Sequence, residues 1–451
     1  MLIALLLAVD AALQPFVKID ARAVVLEHVR VIDGTGAPPR EDQTLFIVEG
    51  KIAARAPEGA TRVDLTGRTV MPGLVGMHDH LFYPMGDRIF GEMAYSFPRL
   101  YLAAGVTTIR TAGSIEPYTD IELKKLIDAG KVPGPTIFLT GPYLEGPGSF
   151  AVQMHALKNP DDTREFVNFW ADQGATSFKA YNTLTRAELG AAIRAAHKRG
   201  LKVTAHLCSI GFTEAARLGI DDLEHGLLVD TEFFPGKKSD QCPPPREALE
   251  ELGKMSPTDP RIAALIAELV KRKVAITSTL AVFDAFTEEG FRRAITPAVR
   301  DALSADARGR LLNEHISRNP AIWPALVKLE MAFERAFVQA GGLLLAGCDP
   351  TGNGAVLAGL GDWRDVELLV DAGFTPLEAL KIHSLNGATW LGEQDRIGTV
   401  APGKDADLVV VEGDPSKNVA DIEKVEIVFK QGVGYDSRKL FDSVRGVVGI
   451  R

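Results

Sequence analysis

The chain reads as an α/β protein: a closed (β/α)8 barrel of the TIM type, joined to a small β-sandwich built from both ends of the sequence. Three observations predict this. Short apolar segments alternate with amphipathic helical stretches through the middle of the chain, the grammar of a parallel sheet with helical crossovers. Eight such segments follow one another, the number a closed barrel of this type uses. Short β-branched runs between Gly, Pro and Asp turn signals fill both the beginning and the end of the chain, as small antiparallel strands do.

The eight expected strands are LVGMH at Leu74, VTTIRT at Val106, TIFLT at Thr136, TSFKAY at Thr176, KVTAH at Lys202, DDLEH at Asp221, VAITST at Val274 and LLLAG at Leu343. A doubly wound open sheet is the competing architecture. Against it, no G-x-G-x-x-G follows an early strand and no G-x-x-x-x-G-K-[ST] loop is present. The flanking runs are AVVLEHVRVID, TLFIVEGKIA and TRVDLTGRTV on one side, IGTVAPGKDADLVVVEG and VEIVFKQGVG on the other. They assign residues 21–70 and 393–451 to one composite β-sandwich and residues 71–392 to the barrel. The helical stretch 297–340 is long for one crossover and leaves room for an insertion or cover near the pocket.

With 451 residues and 46% hydrophobic content, the chain can bury a large core. A net charge of -9 and no dense Lys/Arg run give no electrostatic reason to bind nucleic acid. The partner expected is a small-molecule substrate, and the chain is expected to form a homo-oligomer. Cys208, Cys242 and Cys348 are widely spaced and form no C-x-x-C pair, so they read as ordinary thiols. Residues 1–20 begin MLIALLLAVDAALQ, an apolar run with no basic side chain before it. It is too short for a membrane span, which takes about 20 apolar residues. A signal-like segment and a docked terminus both fit, so cytoplasmic and exported (periplasmic) locations stay open.

Barrel enzymes carry their reacting groups at the carboxyl ends of the strands. Here those ends hold His78-Asp79-His80, Lys179, His206, Glu224-His225 and, through Cys348, Asp349. Strand side chains alternate in direction, so His78 and His80 can face one way and share a metal. By the same alternation Asp79 and Glu224 are expected to point away and at most to orient a neighbour. One H-x-H is weak evidence in a chain with nine histidines. Four histidines, a lysine and an aspartate in register with the strand repeat are strong evidence. Imidazole and carboxylate suit zinc and similar divalent ions, and a set without cysteine argues against a structural thiolate site.

This ordered set resembles the binuclear type of the amidohydrolase superfamily, and residues 71–392 look like its barrel throughout. MPGLVGMHDHL and GTVAPGKDADLVVVEGDP are especially similar. With the lysine of the fourth strand, they make the chain similar to prolidase-like and imidazolonepropionase-like enzymes. The resemblance implies that His78 and His80 hold a first metal with Asp349, that His206 and His225 hold a second, and that Lys179, carboxylated to a carbamate, bridges both. Two such ions, zinc being the first expectation, can share a water and lower its pKa from about 15.7 toward 7. The hydroxide so formed would be the nucleophile. Asp349 would take its proton and deliver it to the leaving amine.

Three further residues are candidate substrate contacts. Tyr181 follows Lys179 by two and would share its side of the strand, although a buried rim tyrosine is an equal reading. Arg110 closes the second strand and could receive a carboxylate, or pair with a structural acid. His155 sits in a glycine-bearing loop after the third strand, where substrate loops occur. The function expected is hydrolysis of a C–N amide bond in a peptide-like substrate, a dipeptide or N-acyl amino acid. The alternatives are a lactonase or esterase using the same site, and a noncatalytic binding protein of the same fold.

Overall fold

The computed structural model describes residues 10–149, 151–317 and 320–450. Each of the eight expected segments contains a strand: β1 (Leu74–Asp79), β2 (Val106–Thr111), β3 (Thr136–Phe138), β4 (Ser177–Ala180), β5 (Lys202–Ala205), β6 (Asp222–Glu224), β7 (Ala275–Ser278) and β8 (Leu344–Ala346). Every residue of β1 and β2 is buried, as in parallel strands covered on both faces. The overall fold is mixed α/β.

The strands do not form one continuous ladder. They fall into two parallel sheets, ordered β3-β2-β1 and β4-β5-β6-β7-β8. At one junction the chain leaving β3 makes two isolated parallel bridges to β4, Thr140 to Ser177 and Leu144 to Ala180, and the Gly141 N–H donates to the Ser177 carbonyl at 2.9 Å. At the other, the Asp349 N–H donates to the His78 carbonyl at 2.9 Å. Gly347 lies so close to the His78 backbone that any Cβ would collide with it. Only glycine permits that approach, and it brings the end of β8 against β1.

Helices lie between the strands. Arg186–Lys198 is representative: the Thr185 side chain accepts from the Glu188 N–H while Glu188 reaches back to the Thr185 N–H, a capping box. Its buried Leu189, Ala192, Ile193 and Ala196 recur at helical spacing and join the main core. The long stretch from 297 forms the helices Pro297–Ala302, Ala305–Ser317 and Trp323–Gln339. Trp323 stacks on Phe286 with centroids 4.7 Å apart.

Both ends of the chain meet in one nine-stranded sheet. Arg68–Pro72 pairs antiparallel with Leu408–Glu412, and Val17–Ile19 with Val433–Asp436. The sheet has a core of its own, including Val24, Leu26, Ile47, Val70, Leu408 and Phe429. Of the terminal segment 1–20, residues 1–9 lie outside the described residues, and Leu13 is buried against Leu102 and Leu440. No helix among the described residues is long and apolar enough to cross a membrane.

One expectation about cysteine is corrected. Cys208 and Cys242 form a disulfide, with Cα atoms 5.1 Å apart, and only Cys348 is a free, buried thiol. The two partners are 34 positions apart in sequence. They meet because the loops leaving β5 and β6 fold over the same end of the sheet.

Candidate metal centre

The six expected ligands converge at the carboxyl ends of the parallel strands. The His78 and His80 rings stand 5.2 Å apart between centroids, His78 and His225 4.4 Å, and His206 and His225 4.6 Å. Asp349 oxygens lie 3.7 Å from His78 Nε2, 3.5 Å from His80 Nε2 and 4.0 Å from His225 Nδ1. Lys179 Nζ is 3.1 Å from His78 Nε2. His225 and Asp349 both have left-handed backbones, with φ of 69° and 48°. Such values are uncommon outside glycine and cluster at functional sites. Thr351 Oγ1 donates to Asp349 Oδ1 at 2.6 Å.

Five of the six are buried and His206 is half-buried. Burial drives the pKa of all four imidazoles down, well below the ordinary value for His80, His206 and His225, and neighbouring Lys179 and His78 push the same way. Neutral imidazoles keep the lone pair that a metal needs. Burial also lowers the Lys179 ammonium, against the opposing pull of Glu224. The donor set fits a divalent metal: His78, His225 and Asp349 offer ligand atoms all within 4.8 Å of one another, and nitrogen and carboxylate oxygen suit ions such as zinc.

Glu224 corrects the strand alternation. It does not point away: Oε2 lies 2.6 Å from Lys179 Nζ and 3.1 Å from His78 Nδ1, and Oε1 accepts from Arg110 Nη2 and Thr204 Oγ1, each at 2.6 Å. The left-handed backbone of His225 ends the alternation, so two consecutive side chains enter the site. Burial pushes the Glu224 carboxyl up, yet Lys179, His78 and Arg110 together hold it well below the usual range. Asp79 does face elsewhere, toward the Cys348 N–H at 3.3 Å.

The expected substrate contacts separate. Tyr181 lines the pocket, its ring 4.6 Å from His206 and 5.0 Å from Tyr143. For Arg110 the structural-acid reading holds and the substrate reading is corrected: it is fully buried, its Nε donates to the Met77 carbonyl at 2.8 Å, and Glu224 holds its Nη2, so no face remains for a substrate. His155 is corrected too. It is exposed and stacks on Phe166 at 5.6 Å, and its neighbour Met154 lines the pocket instead. Tyr143, Thr351, Phe283 and Phe286 are site residues that sequence reasoning missed, and Glu224 is one whose direction it misread. For Glu224 the available signal was a charge inside a buried strand, next to a ligand.

The amidohydrolase family pattern matches residues 69–433. An uncharacterized protein of Mycobacterium tuberculosis is 29% identical over 224 residues, 46% of this chain and 56% of that protein. Imidazolonepropionase of Streptomyces avermitilis is 35% identical over 112 residues, 24% of each chain. The chain thus spans about half the length, or less, of these curated relatives. Among solved structures, a Xaa-Pro dipeptidase with bound methionine in its active site superposes with a TM-score of 0.69 at 20% identity, over 92% of this chain and 100% of that one. Bottromycin amidohydrolase gives 0.72 at 22% identity, over 96% and 92%. These two likenesses show a shared fold. With its family pattern beginning and ending in the closing sheet and spanning all eight parallel strands between, the chain belongs to the amidohydrolase family.

Proposed function

We propose that this protein is a metal-dependent hydrolase of a C–N amide bond in a peptide-like small molecule, with the eight parallel strands closed as a (β/α)8 barrel around the reaction. His78, His80 and Asp349 would hold one divalent ion and His206 and His225 a second, with Lys179, as its carbamate, between them. Zinc is the first expectation for both. Such ions, when bound, lower the pKa of water toward neutrality and polarise a carbonyl.

The side chains supply the rest. Asp349, oriented by Thr351, can take a proton from the attacking water and return it to the leaving nitrogen. Glu224 at His78 Nδ1 fixes which ring nitrogen of His78 faces the site. Tyr143 and Tyr181 stand over Lys179, their ring centroids 5.6 and 5.8 Å from its Nζ, and burial holds both phenols well above their ordinary pKa. They remain protonated donors at neutral pH. Phe82, Phe283 and Phe286 give the pocket an apolar wall beside the ligand set.

The observation that carries this reading is the convergence of four neutral imidazoles, a lysine and a carboxylate at the end of a parallel sheet. The test is a turnover panel of amides and lactones with metal-replete protein, scored by amine or acid release. Amide cleavage is expected to dominate. Cleavage of lactones alone would assign the site to ester chemistry.

A further inference from the structure

Two cavities meet at His206. The first, about 210 Å³, contains the candidate ligands and is walled by Phe82, Phe90, Ile115, Met154, Phe283 and Phe286. The second, about 300 Å³, is walled by Leu228, Val229, Pro243, Pro245, Leu249 and Leu252. His206 lines both. Its half-buried ring, 4.6 Å from His225, is therefore a wall that the two chambers share. The second chamber is held in shape by the chain itself, since Cys208 and Cys242, joined by their disulfide, both line it.

The charges complete the picture. Among the described residues lining the first cavity, the acids and bases other than histidine are Lys179 and Asp349, both in the candidate ligand set. In the second, the one such group is Asp230, whose Oδ1 accepts from the Glu232 N–H at 3.0 Å. Arg110 faces the barrel interior. On the far side of His206 a substrate carboxylate would meet the acid Asp230 and no lining cation, and an unpaired charge placed there is disfavoured. Together the chambers exceed the roughly 300 Å³ at which small-molecule pockets begin.

We propose that the substrate is an uncharged amide with an apolar group on each side of the scissile bond, one seated in the aromatic chamber and the other in the chamber beyond His206. This rests on the amide-hydrolase reading above and adds a second subsite to it. A free dipeptide, with its carboxylate next to the scissile bond, is a poor fit.

The test uses metal-loaded, full-length protein and uncleavable ketomethylene isosteres of N-acetylphenylalanine amides, titrated by calorimetry. One isostere carries a phenyl group on the former amine side, one a methyl and one a carboxymethyl. The phenyl compound is expected to bind at least tenfold more tightly than the methyl one, and the carboxymethyl compound most weakly. Ala248→Trp, at a half-buried position lining the second chamber, is expected to abolish the phenyl advantage and leave methyl binding unchanged. Leu249→Asn should reduce the same advantage without filling space. Equal binding of phenyl and methyl compounds, tightest binding of the carboxymethyl one, or a phenyl advantage that survives both substitutions would overturn the proposal. Turnover of the matching amides separates the two readings: isosteres that bind as expected while the amides stay intact would overturn the reaction and leave the subsite standing.

Discussion

Asp349 lies within 4.0 Å of three imidazoles and accepts a 2.6 Å hydrogen bond from Thr351. A carboxylate so held can carry a proton between two positions without moving far. Asn has the same size and no comparable basicity. Asp349→Asn is therefore expected to lower kcat by roughly 10²–10⁴-fold, with a melting temperature close to that of the parent protein. Undiminished turnover in that variant would remove Asp349 from the chemistry. At this scale the sequence was informative wherever a ligand closes a regular strand, as at His78, Lys179 and His206. It misled where the backbone leaves the regular pattern. Glu224 escaped because His225 turns left-handed, and nothing in DDLEH announces a φ of 69°. Arg110 was legible as a strand-end cation, but its burial against Glu224 depends on contacts 114 positions apart.

The turn Gly226–Val229 follows His225 directly, and the helix Trp323–Gln339 presses the fully buried Glu330 against it. Gly226 leaves space for that carboxyl, since a Cβ there would collide with it. Burial raises Glu330 to about 8, while the Leu227 and Leu228 amides pull the other way. An unfolded glutamate ionises near 4.5, so the unfolded chain loses this proton first. Stability from this group thus falls as pH climbs from about 4.5 to about 8 and is level above that. Glu330→Gln is expected to match the parent near pH 4.5 and to exceed it at pH 8.5 by on the order of 1–3 kcal/mol, read from urea unfolding midpoints. Equal stability of the two proteins at pH 8.5 would contradict this. Of the elements themselves, most of the eight strands were readable as compact apolar runs between turns, and Asp222–Glu224, with one apolar residue, by its place in the repeat. The split into two sheets was not, because β3 keeps only three residues in regular pairing and the chain after it meets β4 through isolated bridges at Thr140 and Leu144.

Over the whole molecule, the closing sheet joins chain ends that lie more than 300 positions apart, so the segment 408–412 completes the strand next to the first ligand strand. The pairing was legible as matching β-rich texture at both ends. The Cys208–Cys242 disulfide was not, because a separation of 34 residues without a C-x-x-C pattern carries no sign of contact. What the fold achieves is to gather six side chains, scattered from His78 to Asp349, at one end of a parallel sheet. The most direct measurement is the metal content of purified, metal-replete protein by elemental analysis. About two divalent ions per chain are expected, falling when His78 or His225 is replaced by alanine. A protein with all six side chains intact that retains no divalent ion, yet still hydrolyses its substrate, would contradict the account.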